Sequence, residues 1–133
     1  MGKEPRRFFR AAGQRLQEAQ FLLQNDYATA SVYLAGYAVE CILKVLILAS
    51  EPEPHHLKTI TSFRGVHGHD FGWLRGQLHQ RRITIPVTII EALTDVRGWT
   101  TDLRYDPTVH RRRDAEVFLA AAEQIIQWVH ERL

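Results

Sequence analysis

The chain has 133 residues, enough for one domain with a single buried core. Hydrophobic residues make up 45% and charged residues 24%, which excludes a disordered chain. The 17 Lys and Arg stand against 15 Asp and Glu, so no chain-wide positive field exists of the kind a purely electrostatic nucleic-acid binder carries. The positive charge is instead clustered: Arg6, Arg7 and Arg10, then Arg81 and Arg82, then Arg111, Arg112 and Arg113. Each cluster reads either as a local binding patch or as a solvated helix end.

From about Pro5 to Asn25, Phe9, Ala12, Leu16, Ala19 and Leu23 recur at steps of three and four, the mark of one helix face. Asn25-Asp26 breaks the pattern, and Asp26 suits the cap of the next helix. So short a connection makes the first two helices antiparallel neighbours. The second segment, about Tyr27 to Ser50, is the most apolar and is expected at the centre of the fold. Ala30 to Ala49 is apolar enough to raise a membrane span, but Glu40 and Lys44 at mid-span favour a helix buried by protein. Gly36 costs about 1 kcal/mol against Ala in a helix. The close approach of another helix is the expected compensation.

Pro52 and Pro54 end this helix. A loop of roughly 15 to 20 residues is expected next, long for a compact domain. It carries His55, His56, His67 and His69. A short helix starts near Asp70, its N-cap, with Phe71, Leu74 and Leu78 on one face. Another starts with Pro86 as its first residue and presents Val87, Ile90, Leu93, Val96 and Trp99. In the last helix Ala115, Phe118, Leu119, Ala122, Ile125, Ile126, Val129 and Leu133 form one stripe. No segment alternates as a strand does. The fold class is all-α: an up-and-down bundle of four principal helices with a short fifth, in one domain over residues 1–133.

Few constellations suit chemistry. Glu40 and Lys44, at i and i+4, form a structural ion pair. It lies either on a narrow exposed edge of the helix or toward a cleft or interface. The histidine spacing matches no strong metal pattern, so no metal and no cofactor are expected. The single cysteine, Cys41, cannot make an intrachain disulfide, which fits a reducing, cytoplasmic setting. Neither a catalytic serine or cysteine nor a phosphate loop is indicated.

The stretch RYDPTVHRRRD, residues 104–114, holds the remaining candidates. Arg104 suits a phosphate through its planar fork of donors, and His110 suits proton transfer near neutrality. On one straight helix six residues would leave them roughly 120° apart. If Asp106 caps the last helix and Pro107 opens it, the chain bends there and His110 falls in the first turn. The alternative is a turn, a solvated arginine and a surface histidine.

The order of these features resembles the HEPN domain family. Leu16, Ala19, Leu22 and Leu23 fit its first helix. Tyr27 follows the break, and Ala38, Glu40, Leu43 and Lys44 fit its Ala-x-Glu-x-x-Leu-Lys helix. His69, Asp70 and Leu74 fit its His-Asp and leucine helix, and Arg104-Tyr105 its Arg-Tyr pair. The resemblance implies a helical bundle that pairs as a homodimer, often acting with a minimal nucleotidyltransferase in toxin-antitoxin or nucleotide-modification systems. On that footing the chain is a nucleotide- or partner-binding module, with Tyr105, Arg111, Arg112 and Arg113 in contact with the nucleotide or partner. The alternative it implies is a metal-independent endoribonuclease with RNA as ligand, its catalytic pair Arg104 and His110 in a dimeric cleft. Tyr105 after the arginine and Pro107 before the histidine depart from the ribonuclease pattern.

Overall fold

The computed structural model describes residues 1–133, except the side chain of Val66. The described residues form helices and connections, with no strand. Helices α1 (Lys3–Gln24) and α2 (Ala28–Ala49) make an antiparallel hairpin. Three short helices follow: α3 (His56–Ser62), α4 (Phe71–Gln80) and α5 (Val87–Asp95). The chain closes with α6 (Arg112–Arg132), which packs on α2, α5 and α1.

α2 is the axis of the bundle, as its composition requires. Val39, Ile42, Leu43, Val45, Ile47 and Leu48 are fully buried. Its length and mean hydropathy would suffice to cross a membrane, but here α1, α4 and α6 cover it. Burying a Leu or Ile side chain stabilises by about 1.5–3 kcal/mol, so this helix carries much of the core. Ala12 and Ala19 of α1 and Ala35 of α2 are fully buried, and small side chains let helix axes approach closely. The Ser31 hydroxyl, buried between these helices, donates to the Ala19 carbonyl at 2.7 Å. The stripe of α6 is buried as its spacing predicts, apart from half-buried Ile126 and exposed Leu133.

Several local readings are corrected. Asp26 does not cap α2. It sits at φ 67°, the left-handed turn position, while Tyr27 holds the N-cap place without a side-chain cap. The carboxylate of Asp26 instead meets Arg112 at 2.7 Å. The expected long loop contains α3 and two 3₁₀ turns, Glu53–His55 and Val66–His69. His56 there is buried, with Nε2 on the carbonyls of Leu48 (2.7 Å) and Glu51 (3.2 Å). Asp70 does cap α4, accepting from the Trp73 amide at 3.1 Å.

Pro86 precedes α5 as its N-cap rather than opening it. The buried face of α5 is Ile89, Ala92 and Leu93, continued by Val96, while Val87 and Ile90 are exposed. In VTII two helical registers fit the apolar pattern, and packing on α6 selects the second. The close approach at Gly36 comes from a side chain, not from a helix. A Cβ there would lie 2.0 Å from Cε2 and Nε1 of Trp99. That indole donates to the Tyr33 carbonyl at 3.2 Å and stacks on Phe71 with centroids 5.2 Å apart.

The last helix begins later than Asp-Pro suggests. Asp106 is the C-cap of a 3₁₀ helix, Thr101–Tyr105, and Pro107 to Arg111 run outside any helix before α6 starts at Arg112. The Asp106 carboxylate accepts from the Thr108 amide at 2.9 Å, which occupies it as a turn rather than as a cap. The same hydrogen bonds from Thr108 hold this carboxyl below its ordinary range.

Candidate functional site

Three segments meet at the Arg104 end of the bundle: the α1–α2 turn, the 3₁₀ helix and the irregular Pro107–Arg111 stretch. Thr100 starts the 3₁₀ helix by accepting from the Asp102 amide at 3.1 Å. Arg104 closes it, its Nε donating to the Thr101 carbonyl at 3.0 Å. That bond uses one of five guanidinium donors. The guanidinium carbon lies 5.1 Å from the centre of the Tyr105 ring, which is 77% exposed. Arg104 also lines a cavity of about 460 Å³ with Tyr27, Thr29, Tyr33, Leu103 and Val109.

His110 lies two residues before α6, so it has no place in a helix first turn. It is held by Thr29 of α2. The Thr29 hydroxyl donates to the Thr108 carbonyl (3.2 Å) and accepts from the His110 amide (2.8 Å). Its one proton is thereby used, so His110 Nδ1, at 3.2 Å, must donate its own. The ring then carries its lone pair on Nε2. The structure thus brings Arg104 and His110 to one end of the bundle, without a hydrogen bond between them, and His110 does not line the Arg104 cavity.

The arginine cluster divides. Arg112 is bound to Asp26 (2.7 Å) and Glu116 (3.1 Å), tying the start of α6 to the α1–α2 turn. Arg111 and Arg113 are exposed and make no ion pair among the described residues.

Glu40 and Lys44 are not on an exposed edge. Each is 5% exposed, and Lys44 Nζ lies 2.8 Å from Glu40 Oε2. The ammonium also sits 5.2 Å from the Phe63 ring centre and 5.8 Å from that of Phe8, contacts that favour a cation. The second carboxylate oxygen meets His69 Nδ1 at 2.7 Å. Sequence reasoning placed His69 before the Asp70 cap and in the family's His-Asp motif, without a partner. Twenty-nine residues separate it from Glu40, and no periodicity reports such a pairing. Nearby, burial is the main cause that raises the Tyr37 phenol above its ordinary value, helped by its hydrogen bond with Tyr33, while the charge of Arg104 opposes the shift. Burial likewise pushes the Cys41 thiol up to about 11, which leaves it a poor nucleophile at neutral pH.

No curated protein and no solved structure matches the chain. The family model of the HEPN domain matches residues 5–133, from the first turn of α1 to the last residue. The chain belongs to the HEPN domain family.

Proposed function

We propose that the protein is a nucleotide- or partner-binding module that acts with a minimal nucleotidyltransferase in a toxin-antitoxin-like or nucleotide-modification system of the cytoplasm. The observation that carries this reading is the Arg104 guanidinium, exposed and set beside the open Tyr105 ring, with Arg111 and Arg113 unpaired nearby. Arginine supplies phosphate contacts and tyrosine a stacking face. Arg112 holds the frame rather than the ligand. Calorimetry should show heat on adding ATP or a minimal nucleotidyltransferase, should the adjacent gene encode one. Arg104→Ala should weaken binding by about tenfold, the loss of one charge-assisted contact. No heat with either, up to millimolar concentration, overturns the reading.

The same proposal includes a homodimer. Ala30, Tyr33, Leu34, Tyr37 and Cys41 form a partly exposed stripe along α2, continued by exposed Phe21 on α1. A second copy would cover it. Light scattering at micromolar concentration should give twice the 15.4 kDa chain mass. A monomer removes the pairing and any cleft composed from two subunits.

One observation favours the ribonuclease alternative: His110 is fixed through Nδ1 with Nε2 left free for proton transfer. Cleavage would then persist in EDTA, leave a 2′,3′-cyclic phosphate and spare DNA, which lacks the attacking hydroxyl. His110→Ala and Arg104→Ala would each slow it by on the order of a hundredfold. Equal cleavage by wild type and both variants identifies a contaminant and ends this reading.

A further inference from the structure

The Lys44–Glu40–His69 chain leaves one atom without a role in the fold. Glu40 holds the Lys44 ammonium on Oε2, so it is an ionised, acceptor-only group. The proton between Oε1 and His69 Nδ1 must therefore belong to the imidazole. In the neutral ring the lone pair of His69 is then on Nε2, which makes no hydrogen bond among the described residues. The side chain is 45% exposed. It lies on the wall of a cavity of about 770 Å³, within the size range of small-molecule sites.

His69 is singular among the seven histidines. No other histidine pairs with a carboxylate among the described residues. A buried carboxylate on Nδ1 fixes the tautomer and ring orientation, and it offsets positive charge as Nε2 forms a bond. Phe71 and Trp99 give the cavity an apolar side. Its charged lining is Asp70, Asp102 and Arg97, two carboxylates against one guanidinium. That balance disfavours polyanions such as phosphate donors and accepts neutral or ammonium-bearing molecules.

We propose that His69 is a nucleophilic centre for acyl transfer from small neutral or cationic carboxylic esters bound in this cavity, with Glu40 as its positioning residue. The Nε2 lone pair adds to the ester carbonyl carbon. The bond from that carbon to the alcohol oxygen breaks, and the alkoxide leaves and takes a proton from water. The acylated ring keeps its proton on Nδ1, hydrogen-bonded to Glu40, and its positive charge faces the carboxylate. The hydroxide formed adds to the acyl carbon, the carbon–nitrogen bond breaks, and the lone pair returns to Nε2. The net change is ester and water to acid and alcohol. The site is separate from the Arg104 cavity and does not rest on nucleotide binding.

The test is hydrolysis of p-nitrophenyl acetate by the full chain, with free 4-methylimidazole at equal concentration as the reference. The protein should exceed the reference at least tenfold. His69→Gln should remove the excess, while His130→Gln should keep it. p-Nitrophenyl phosphate should not be turned over. A rate no higher than the reference, or an equal rate in His69→Gln, overturns the proposal. A second measurement leaves the wild-type fold untouched: a limiting amount of diethyl pyrocarbonate should acylate His69 before the other histidines, read by peptide mass mapping, and even labelling counts against it. In Glu40→Gln the side-chain amide can donate as well as accept, so the tautomer is no longer fixed. Nitrogen-15 spectra of the His69 ring should then show both tautomers in place of one. A single unchanged tautomer denies Glu40 its positioning role.

Discussion

Glu40→Ala is expected to destabilise the fold by roughly 3 kcal/mol or more. The substitution leaves the Lys44 ammonium buried without a carboxylate, and it takes the acceptor from His69 as well. Phe8 and Phe63 keep their faces near the ammonium, but ring quadrupoles replace only part of a full charge at 2.8 Å. Urea unfolding of Glu40→Ala, Lys44→Ala and the double variant reads this directly. The double variant should recover part of what Glu40→Ala loses, because removing both charges also removes the cost of burying one alone. A Glu40→Ala protein within about 1 kcal/mol of wild type would match an exposed pair and contradict the burial described above.

Gly36→Ala should cost about 2–3 kcal/mol, although alanine is the better helix former by about 1 kcal/mol. The new methyl would stand 2.0 Å from two atoms of the Trp99 ring system, and an indole cannot bend aside as a lysine tip can. Trp99 must leave its place, giving up its bond to the Tyr33 carbonyl and its stack on Phe71. The two positions are therefore coupled. Trp99→Ala alone should cost about 3–5 kcal/mol, the usual range for a buried tryptophan, but much less when added to Gly36→Ala. Thermal or urea denaturation of the four proteins closes the cycle. Wild-type stability in Gly36→Ala would mean that the indole does not occupy this groove.

These two sites also mark how far the sequence could be read. The helical period along α1, α2 and α6 is local information, and Ala12, Ala19, Ile125 and Val129 lie where their spacing puts them. Asp70 was legible for the same reason, since an N-cap acts within three residues of itself. Asp106-Pro107 carries the same letters as a helix start. Its carboxylate went to the Thr108 amide, and Thr29 holds the following chain outside any helix, which no local signal encodes. Gly36 announced a close approach without naming the partner, which stands 63 positions later as Trp99. Arg104, Tyr105 and His110 were found as residue types. The division of labour within Arg111–Arg113 depends on Asp26 and Glu116, one of them 86 positions from its partner.

The tight turn between α1 and α2 sets an order of events in folding. The Ser31–Ala19 bond joins residues 12 apart, whereas the Thr29–His110 bond joins residues 81 apart. By loop-closure entropy alone the second contact costs about 1.7 kcal/mol more to reach. The α1–α2 hairpin can zip from its turn outward before α6 has a surface on which to dock. Substitutions inside the hairpin, at Ala19 or Ala35, should then slow folding, and substitutions on α6, at Ile125 or Val129, should chiefly hasten unfolding. The segment bearing Arg104 and His110 joins only at the second stage. His110 therefore acquires its geometry in the last step of folding and surrenders it in the first step of unfolding, whereas Arg104 keeps the Thr101 carbonyl, three residues away.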